Sequence, residues 1–421
     1  AMQLHPFYRG KIETTLKCTV RSFNDFAIWY TPGVAAPCKA IQADPELVYE
    51  YTNKWNTVAV VSDGTRVLGL GDIGPKAGLP VMEGKALLFK WLGGVDAVPI
   101  MLDTKDPDEI IRTVLLLQPS FGGINLEDIA QPRCFEVLDR LRADTSVQIP
   151  VFHDDQHGTA IISSAGLLNA LEILGKKASD LKVVVCGAGA AANSCTRLYV
   201  ALGVRKENIV MVDSKGVINS KRTDLNKYKK EWVTDRNINT LAEAVKGSDM
   251  FLGLSVANML TKEMLSTMAP NPIVFAMANP VPEISYEDAM STRDDLIFST
   301  GRSDYPNQIN NVLGFPFIFR GALDVRATTI NEEMKLAATK ALAAIAKEKV
   351  PQSVLKAYNL EKLEFGKEYI IPKPVDPRLI SRVASAVAQA AIETGVARLR
   401  IDDWDAYRKS LNRRTAEHIH R

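Results

Sequence analysis

Short apolar runs bounded by Gly, Asp or Pro punctuate the first 155 residues, at 57–61, 67–70, 98–102 and 149–152. Each is too short and too evenly apolar for a surface helix and predicts a buried strand. The stretch 159–174 predicts a helix that stops at Gly175, a residue suited to the left-handed position after a helix end. From Lys182 the pattern changes to strand 183–186, a Gly/Ala turn, a helix and a second strand 209–212, with more apolar runs at 250–254, 273–277 and 296–298. Strands alternating with helical spacers predict a parallel, doubly wound sheet, so the fold class is α/β. The C-terminal part reads as helical. Thr329 to Glu332 fits a capping box ahead of a helix with Met334, Ala338, Ala341 and Ile345 on one face. Asp376-Pro377 opens another, ending near Gly395. Beyond Asp402 the chain is highly charged with Trp404 and Tyr407, which leaves a packed arm, a subunit contact and a frayed tail all open.

A chain of 421 residues is long for one core and comfortable for two. Its 46% hydrophobic and 24% charged residues and its net charge of +2 describe an ordinary globular protein with no basic footprint for nucleic acid. Lys227-Tyr228-Lys229-Lys230 reads as solvated helix surface. The five cysteines, Cys18, Cys38, Cys134, Cys186 and Cys195, are scattered without a C-x-x-C pair. That pattern predicts reduced, mostly buried thiols in a cytoplasmic-type compartment. No apolar run reaches the roughly 18 residues that span a bilayer, so no membrane partner is expected.

Gly187-Ala188-Gly189-Ala190-Ala191-Ala192 follows one predicted strand and opens a helix. This G-x-G-x-x-A spacing lets the backbone turn tightly and bring a pyrophosphate to the positive helix N-terminus. Asp213, at the end of the next strand, stands where an acid holds the adenosine ribose hydroxyls. A carboxylate there repels a 2′-phosphate and favours NAD. Lys215, Lys221 and Arg222 follow closely and could neutralise such a phosphate, so NADP stays possible.

Two acidic pairs, Glu127-Asp128 and Asp154-Asp155, each sit between an apolar run and a helical one. Carboxylate oxygens suit Mg²⁺ or Mn²⁺. Adjacent acids on one regular helix diverge, so joint coordination needs a loop or a helix start; N-capping is the alternative use. His153 and His157 have zinc-like spacing but no third ligand, which points to a structural or supporting role.

Six segments together resemble the malic enzymes of the compact prokaryotic type. They are "YTPGVAAPC" at 30–38, "SDGTRVLGLGDIGPKAGLPVMEGKALLFK" at 62–90, "NLEDIAQP" at 125–132, "VFHDDQHGTA" at 151–160, "MANPVPEI" at 277–284 and "FGKEYIIPKPVDPRL" at 365–379. The resemblance runs from about residue 8 to 400. It implies an N-terminal α/β malate-binding domain (1–158), a Rossmann-like NAD(P)-binding domain (159–325), and C-terminal helices completing it with a tail (326–421). The implied reaction is metal-dependent oxidative decarboxylation of L-malate to pyruvate and CO₂ with reduction of NAD(P)⁺, NAD favoured.

By the same resemblance Lys85 takes the malate hydroxyl proton and Tyr30 protonates C3 of the enol. Glu127, Asp128 and Asp155 hold Mg²⁺ or Mn²⁺, with Asp154 supporting them. Arg66 holds a malate carboxylate, and Asn279 and Asn311 contact substrate near the nicotinamide. The family implies a homodimer or larger assembly. Read alone, Lys85 is a solvated helical lysine, Tyr30 a packed aromatic, Arg66 a turn-surface charge, and either asparagine a turn cap. Two other functions share the dinucleotide half: a hydroxy-acid dehydrogenase without decarboxylation, and a non-catalytic dinucleotide-binding regulator.

Overall fold

The computed structural model describes residues 1–419, so residues 420 and 421 of the expected C-terminal span lie outside the described residues. Two sheets carry the chain. The first joins β1 (Thr57–Ser62), β2 (Asp96–Met101), β3 (Gly123–Leu126) and β4 (Val151–His153), all parallel, in the order β2-β1-β3-β4. The second holds β5 (Val183–Cys186), β6 (Ile209–Asp213), β7 (Gly216–Val217), β8 (Met250–Gly253), β9 (Ile273–Ala276) and β10 (Ile297–Thr300). Its order is β10-β9-β8-β5-β6-β7, parallel except for the short β6/β7 ribbon. Chain order reverses at β5, which makes the crevice beyond β5 and β8 the topological switch point where dinucleotides bind in such sheets.

Strands buried on both faces read as continuous apolar runs, and helices cover both faces here. The helix Asp154–Leu174 joins the two halves, and its residues Ile161, Ile162 and Ala165 lie in the same core as Val58 and Val60 of β1 and Val183 and Val185 of β5. The position between 158 and 159 therefore falls inside one continuous helix. Phe89, Phe152, Phe315 and Phe319 pack edge to face beside it, with centroids 4.7 Å apart for Phe89–Phe315.

Two local expectations change, and of the alternatives left open for the C-terminus the packed arm is the one observed. The run 67–70 is a chain reversal, closed by Val67 N–H donating to Gly71 O at 3.0 Å. Leu68 and Gly71 have left-handed φ of 50° and 74° there, and the leucines point to solvent. Asn331, not Thr329, caps the helix Glu332–Lys347, its side chain accepting from Met334 N at 3.0 Å. At the C-terminus the helix Trp404–Ile419 is a packed arm. Tyr407 and Arg414 bind Asp324, which also pairs with the fully buried Arg320 at 2.7 Å. Among the described residues no helix is long and apolar enough to cross a membrane.

Candidate active site

Parallel pairing of β3 with β4 sets Leu126 opposite His153. Both acidic pairs therefore leave the sheet together, at the same C-terminal edge. Asp128 has a left-handed φ of 53°, a conformation Asp tolerates better than most residues, and this turns the chain immediately after Glu127. On the other side His153, rather than an acid, caps the helix Asp154–Leu174, its side chain accepting from Gln156 N at 3.2 Å. The cap frees both aspartates from the competing role that the sequence left open.

Glu127, Asp128 and Asp155 each place one carboxylate oxygen within 4.8 Å of the others. Asp155 also accepts from the backbone N–H of Asp128 at 2.8 Å, locking the two loops. Burial pushes Glu127 well above the ordinary carboxylate range. Burial, reinforced by the charge of Asp155, raises Asp128 to about 8. His153 Nε2 lies 3.7 Å from the Asp155 carboxylate and so stands behind the cluster, whereas His157 takes no part in it. His157 Nδ1 lies 3.1 Å from Lys335 Nζ, and burial keeps both imidazoles below their usual pKa.

Lys85 comes from the helix Gly74–Gly93 packed on the same sheet. Its ammonium bonds Glu127 at 3.0 Å and Asp154, and lies 3.9 Å from the centroid of Phe315. Burial works to lower its pKa, but the carboxylates of Asp154 and Glu127 outweigh burial and hold it above the ordinary lysine value. Asp154 is thus the partner of Lys85 rather than a member of the converging triad. Asn311 Nδ2 donates to Asp154 at 3.1 Å, fixing it from the far side. Asn125, which donates to Glu127 at 2.8 Å, and Phe315 belong to the site as well, and only the position of Asn125 beside the acidic pair could have signalled it.

Four carboxylates surround one ammonium here, and the charge is unbalanced. The donor set is hard oxygen only, and among the described residues no cation is bonded to the side chain of the buried Asp128. These residues fit a divalent cation of the Mg²⁺ or Mn²⁺ kind. Arg66, on the loop after β1, donates its backbone N–H to Asp128 O at 3.0 Å, and its charge acts on Asp128. Among the described residues its exposed guanidinium has no hydrogen-bond partner.

Across the crevice, Gly187 has φ of 126°, and a Cβ there would stand 2.6 Å from Leu254 O, so this turn requires glycine. Gly189 precedes the helix Ala190–Ala201, which begins within the run Gly187, Ala188, Gly189, Ala190, Ala191. A Cβ on Gly189 would meet Gln131, five residues or fewer from the acidic pair, at 3.7 Å, so the two loops face each other. Asn279, just after β9, lies against Gly69 of the Arg66 loop and against Gly301.

Asp213 ends β6 as expected, but its carboxylate is not free. Arg222 grips it with two bonds of 2.7 and 2.9 Å, and Lys229 adds one of 2.6 Å. Burial opposes ionisation, yet these cations outweigh it and hold Asp213 down at about 2. The expectation of NAD over NADP rested on an uncompensated charge at this position. That premise fails.

The fold does not bring Tyr30 to the Lys85 cluster. It is 71% exposed, follows the short helix Phe26–Trp29, and has no hydrogen bond or ring contact with the Lys85 cluster.

Residues 9–142 match the family model described as malic enzyme, N-terminal domain, and residues 156–363 match malic enzyme, NAD binding domain. The chain is 54% identical to the NADP-dependent malic enzyme of Halomonas elongata over 92% of each chain. It is 50% identical to the NAD-dependent malic enzyme of Rhizobium meliloti over 98% of this chain and 54% of that one. Several relatives named NADP-dependent are likewise longer, and the chain spans about half of their length. The solved malic enzyme of Pyrococcus horikoshii superposes with a TM-score of 0.89 at 45% identity, covering 98% of this chain and 93% of that one. Two matched domains, a relative similar along nearly its whole length and the same fold place this chain in the malic enzyme family.

Proposed function

We propose that the chain oxidises L-malate with a nicotinamide dinucleotide and decarboxylates the product to pyruvate and CO₂. The observation that carries this reading is the meeting of three carboxylate oxygens within 4.8 Å beside a buried lysine, opposite a dinucleotide turn. A hydroxy-acid dehydrogenase without decarboxylation has no need of that acidic triad, and a dinucleotide-binding regulator has no need of Lys85.

Glu127, Asp128 and Asp155 would hold a divalent cation, and such a cation would supply positive charge for the C2 oxygen and for the negative charge left when CO₂ departs. Lys85 accepts the proton of the C2 hydroxyl as the C2 hydride passes to the nicotinamide. A lysine suits that task when its pKa lies nearer neutrality. Asp154 and Glu127 are the carboxylates that hold Lys85 above its ordinary value, so a cation held at Glu127 would weaken one of them. Asp154, fixed by Asn311, keeps the amine aimed into the cleft. Arg66 binds a malate carboxylate with its free fork, and Asn279 and Asn311 orient substrate against the nicotinamide. When the C3–C4 bond breaks, its electron pair forms the enolate of pyruvate, and C3 takes up a proton; Tyr30, the donor that the sequence resemblance implies, stands outside the Lys85 cluster of its own chain.

For the dinucleotide we assign the glycine turn to the pyrophosphate and the Asp213 corner to the adenosine ribose. Arg222 and Lys229 neutralise Asp213, and Lys215 pairs with Asp224 at 2.8 Å, so cations outnumber acids at that corner. This balance favours acceptance of a 2′-phosphate, and NADP is the cofactor proposed. Initial rates with NAD and NADP at matched concentrations test the choice; a strong preference for NAD would reverse it.

A further inference from the structure

Glu283 follows Asn279 on the loop beyond β9 and is fully buried, yet among the described residues no cationic side chain bonds its carboxyl group. Both of its oxygens go to backbone instead. Oε1 accepts from Ser255 N at 3.0 Å and Oε2 accepts from Ala278 N at 3.0 Å. Ser255 lies just past the end of β8 and Ala278 just past the end of β9, so one side chain bridges two neighbouring strands at their C-terminal ends. Further out, Asn258 N donates to Pro282 O at 3.1 Å and Leu260 N to Glu283 O at 3.0 Å, closing the same two loops. Room for the carboxyl comes from Gly253, the last residue of β8, where any Cβ would overlap it.

Burying an acid without a cation is costly. Burial pushes the pKa of Glu283 above the ordinary carboxylate value, while its backbone donors pull the other way. The chemistry of the contact explains why an acid stands here at all. Two N–H groups aimed at two different oxygens call for a side chain that accepts at both ends and donates at neither, which a carboxylate does. A glutamine has the same shape but would turn its own N–H₂ toward one of the backbone donors.

The bridge holds both ends of the dinucleotide crevice. Leu254, next to Ser255, sets its carbonyl oxygen 2.6 Å from where a Cβ of residue 187 would stand, so this loop presses directly on the glycine turn. Ala278 is followed by Asn279, and a Cβ on Gly301 would meet Asn279 Nδ2 at 2.9 Å, so that amide is closely packed too. Each of these two groups is one residue from a Glu283 bond. We infer that Glu283 is a positioning residue of the dinucleotide site. Through Ser255 and Ala278 it sets the Gly187 turn and Asn279 at the spacing that lets one molecule meet both. This rests on the assignment of those two groups to the dinucleotide, and not on the decarboxylation step.

The test is Glu283→Gln, which keeps the volume and removes one acceptor. Binding of NADPH and of NADH is followed by nicotinamide fluorescence without malate, at a temperature where circular dichroism shows the variant folded. Affinity for the tighter of the two should fall about tenfold or more, the scale of a lost hydrogen bond to a charged group. The rise in melting temperature caused by Mn²⁺ should match the wild type, because Glu127, Asp128 and Asp155 gather at the edge of the other sheet. Gly253→Ala reaches the same contact from the opposite side. It leaves the carboxyl in place chemically but displaces it from Ser255 and Ala278, and should weaken dinucleotide binding likewise.

A role confined to folding would lower the melting temperature of both variants and leave their affinities unchanged. Folded Glu283→Gln that binds the dinucleotide as tightly as the wild type therefore overturns the inference. A wild type that binds the dinucleotide, loses that affinity in both variants and yet never converts malate would defeat the decarboxylating reading while supporting the role of Glu283.

Discussion

Asp128→Asn removes one of three mutually repelling carboxylates without removing a hydrogen bond, since the Asp128 side chain has no such partner and its backbone N–H still binds Asp155. Asn also tolerates the left-handed φ of 53° at this position. Two unit charges at the 4.8 Å limit of the cluster repel by about 3 kcal/mol at an effective dielectric near 20, and Asp128 faces two of them. Protonation relieves part of this, which is why burial and Asp155 raise Asp128 to about 8. The cation-free fold of the variant should therefore be more stable by about 2 kcal/mol, or roughly 2–3 °C in melting temperature for a chain of 421 residues.

The raised pKa fixes the pH dependence. Above the ordinary value of 3.8 the unfolded chain releases a proton that the folded one retains, so wild-type stability falls as pH rises toward 8. The advantage of Asp128→Asn should accordingly widen from pH 5 to 8. Added Mn²⁺ reverses the ranking, because binding to the folded state stabilises the wild type alone. The assay is thermal unfolding in EDTA and in Mn²⁺ at several pH values. A variant that melts below the wild type in EDTA, or that keeps the full Mn²⁺ shift, would refute the electrostatic reasoning.

Lys85→Ala should reduce malate oxidation by about 10³-fold or more while dinucleotide binding, followed by fluorescence of the reduced cofactor, stays unchanged; turnover near wild type would remove its assigned role. Arg222→Ala should raise KM for NADP by about tenfold and alter KM for NAD far less, since a charge-assisted contact of this kind contributes about 1.5–3 kcal/mol; equal effects on both would show that Arg222 serves only the fold. A thiol reagent on the native chain at pH 8 should label Cys18 and Cys38 quickly. Burial pushes Cys134, Cys186 and Cys195 up to about 12, so they should react only on unfolding, and five rapid thiols would contradict their burial.

Much of this arrangement is legible in the sequence because parallel strands buried on both faces leave unbroken apolar runs. Nine-residue "GINLEDIAQ" and "VFHDDQHGT" place their acids just past such runs, and parallel pairing then brings both to one sheet edge. Gly187 is legible for a steric reason, since the approach of Leu254 O excludes any Cβ. What escapes the sequence is contact across long separations. Asp154 reads like its neighbour Asp155, and only tertiary packing gives one to Lys85 and the other to the triad. Asp213 reads as a free ribose acceptor until Arg222 and Lys229 close on it. The run 67–70 has strand-like residues, but the glycines around it permit left-handed turns and the chain folds back instead.

Malate labelled in the carboxylate next to C3 joins metal, hydride transfer and carbon–carbon cleavage in one measurement. Labelled CO₂ counted against reduced dinucleotide should appear one for one in Mn²⁺, and EDTA should abolish both together. Reduced dinucleotide formed without labelled CO₂, or turnover indifferent to EDTA, would contradict the role assigned to Glu127, Asp128 and Asp155.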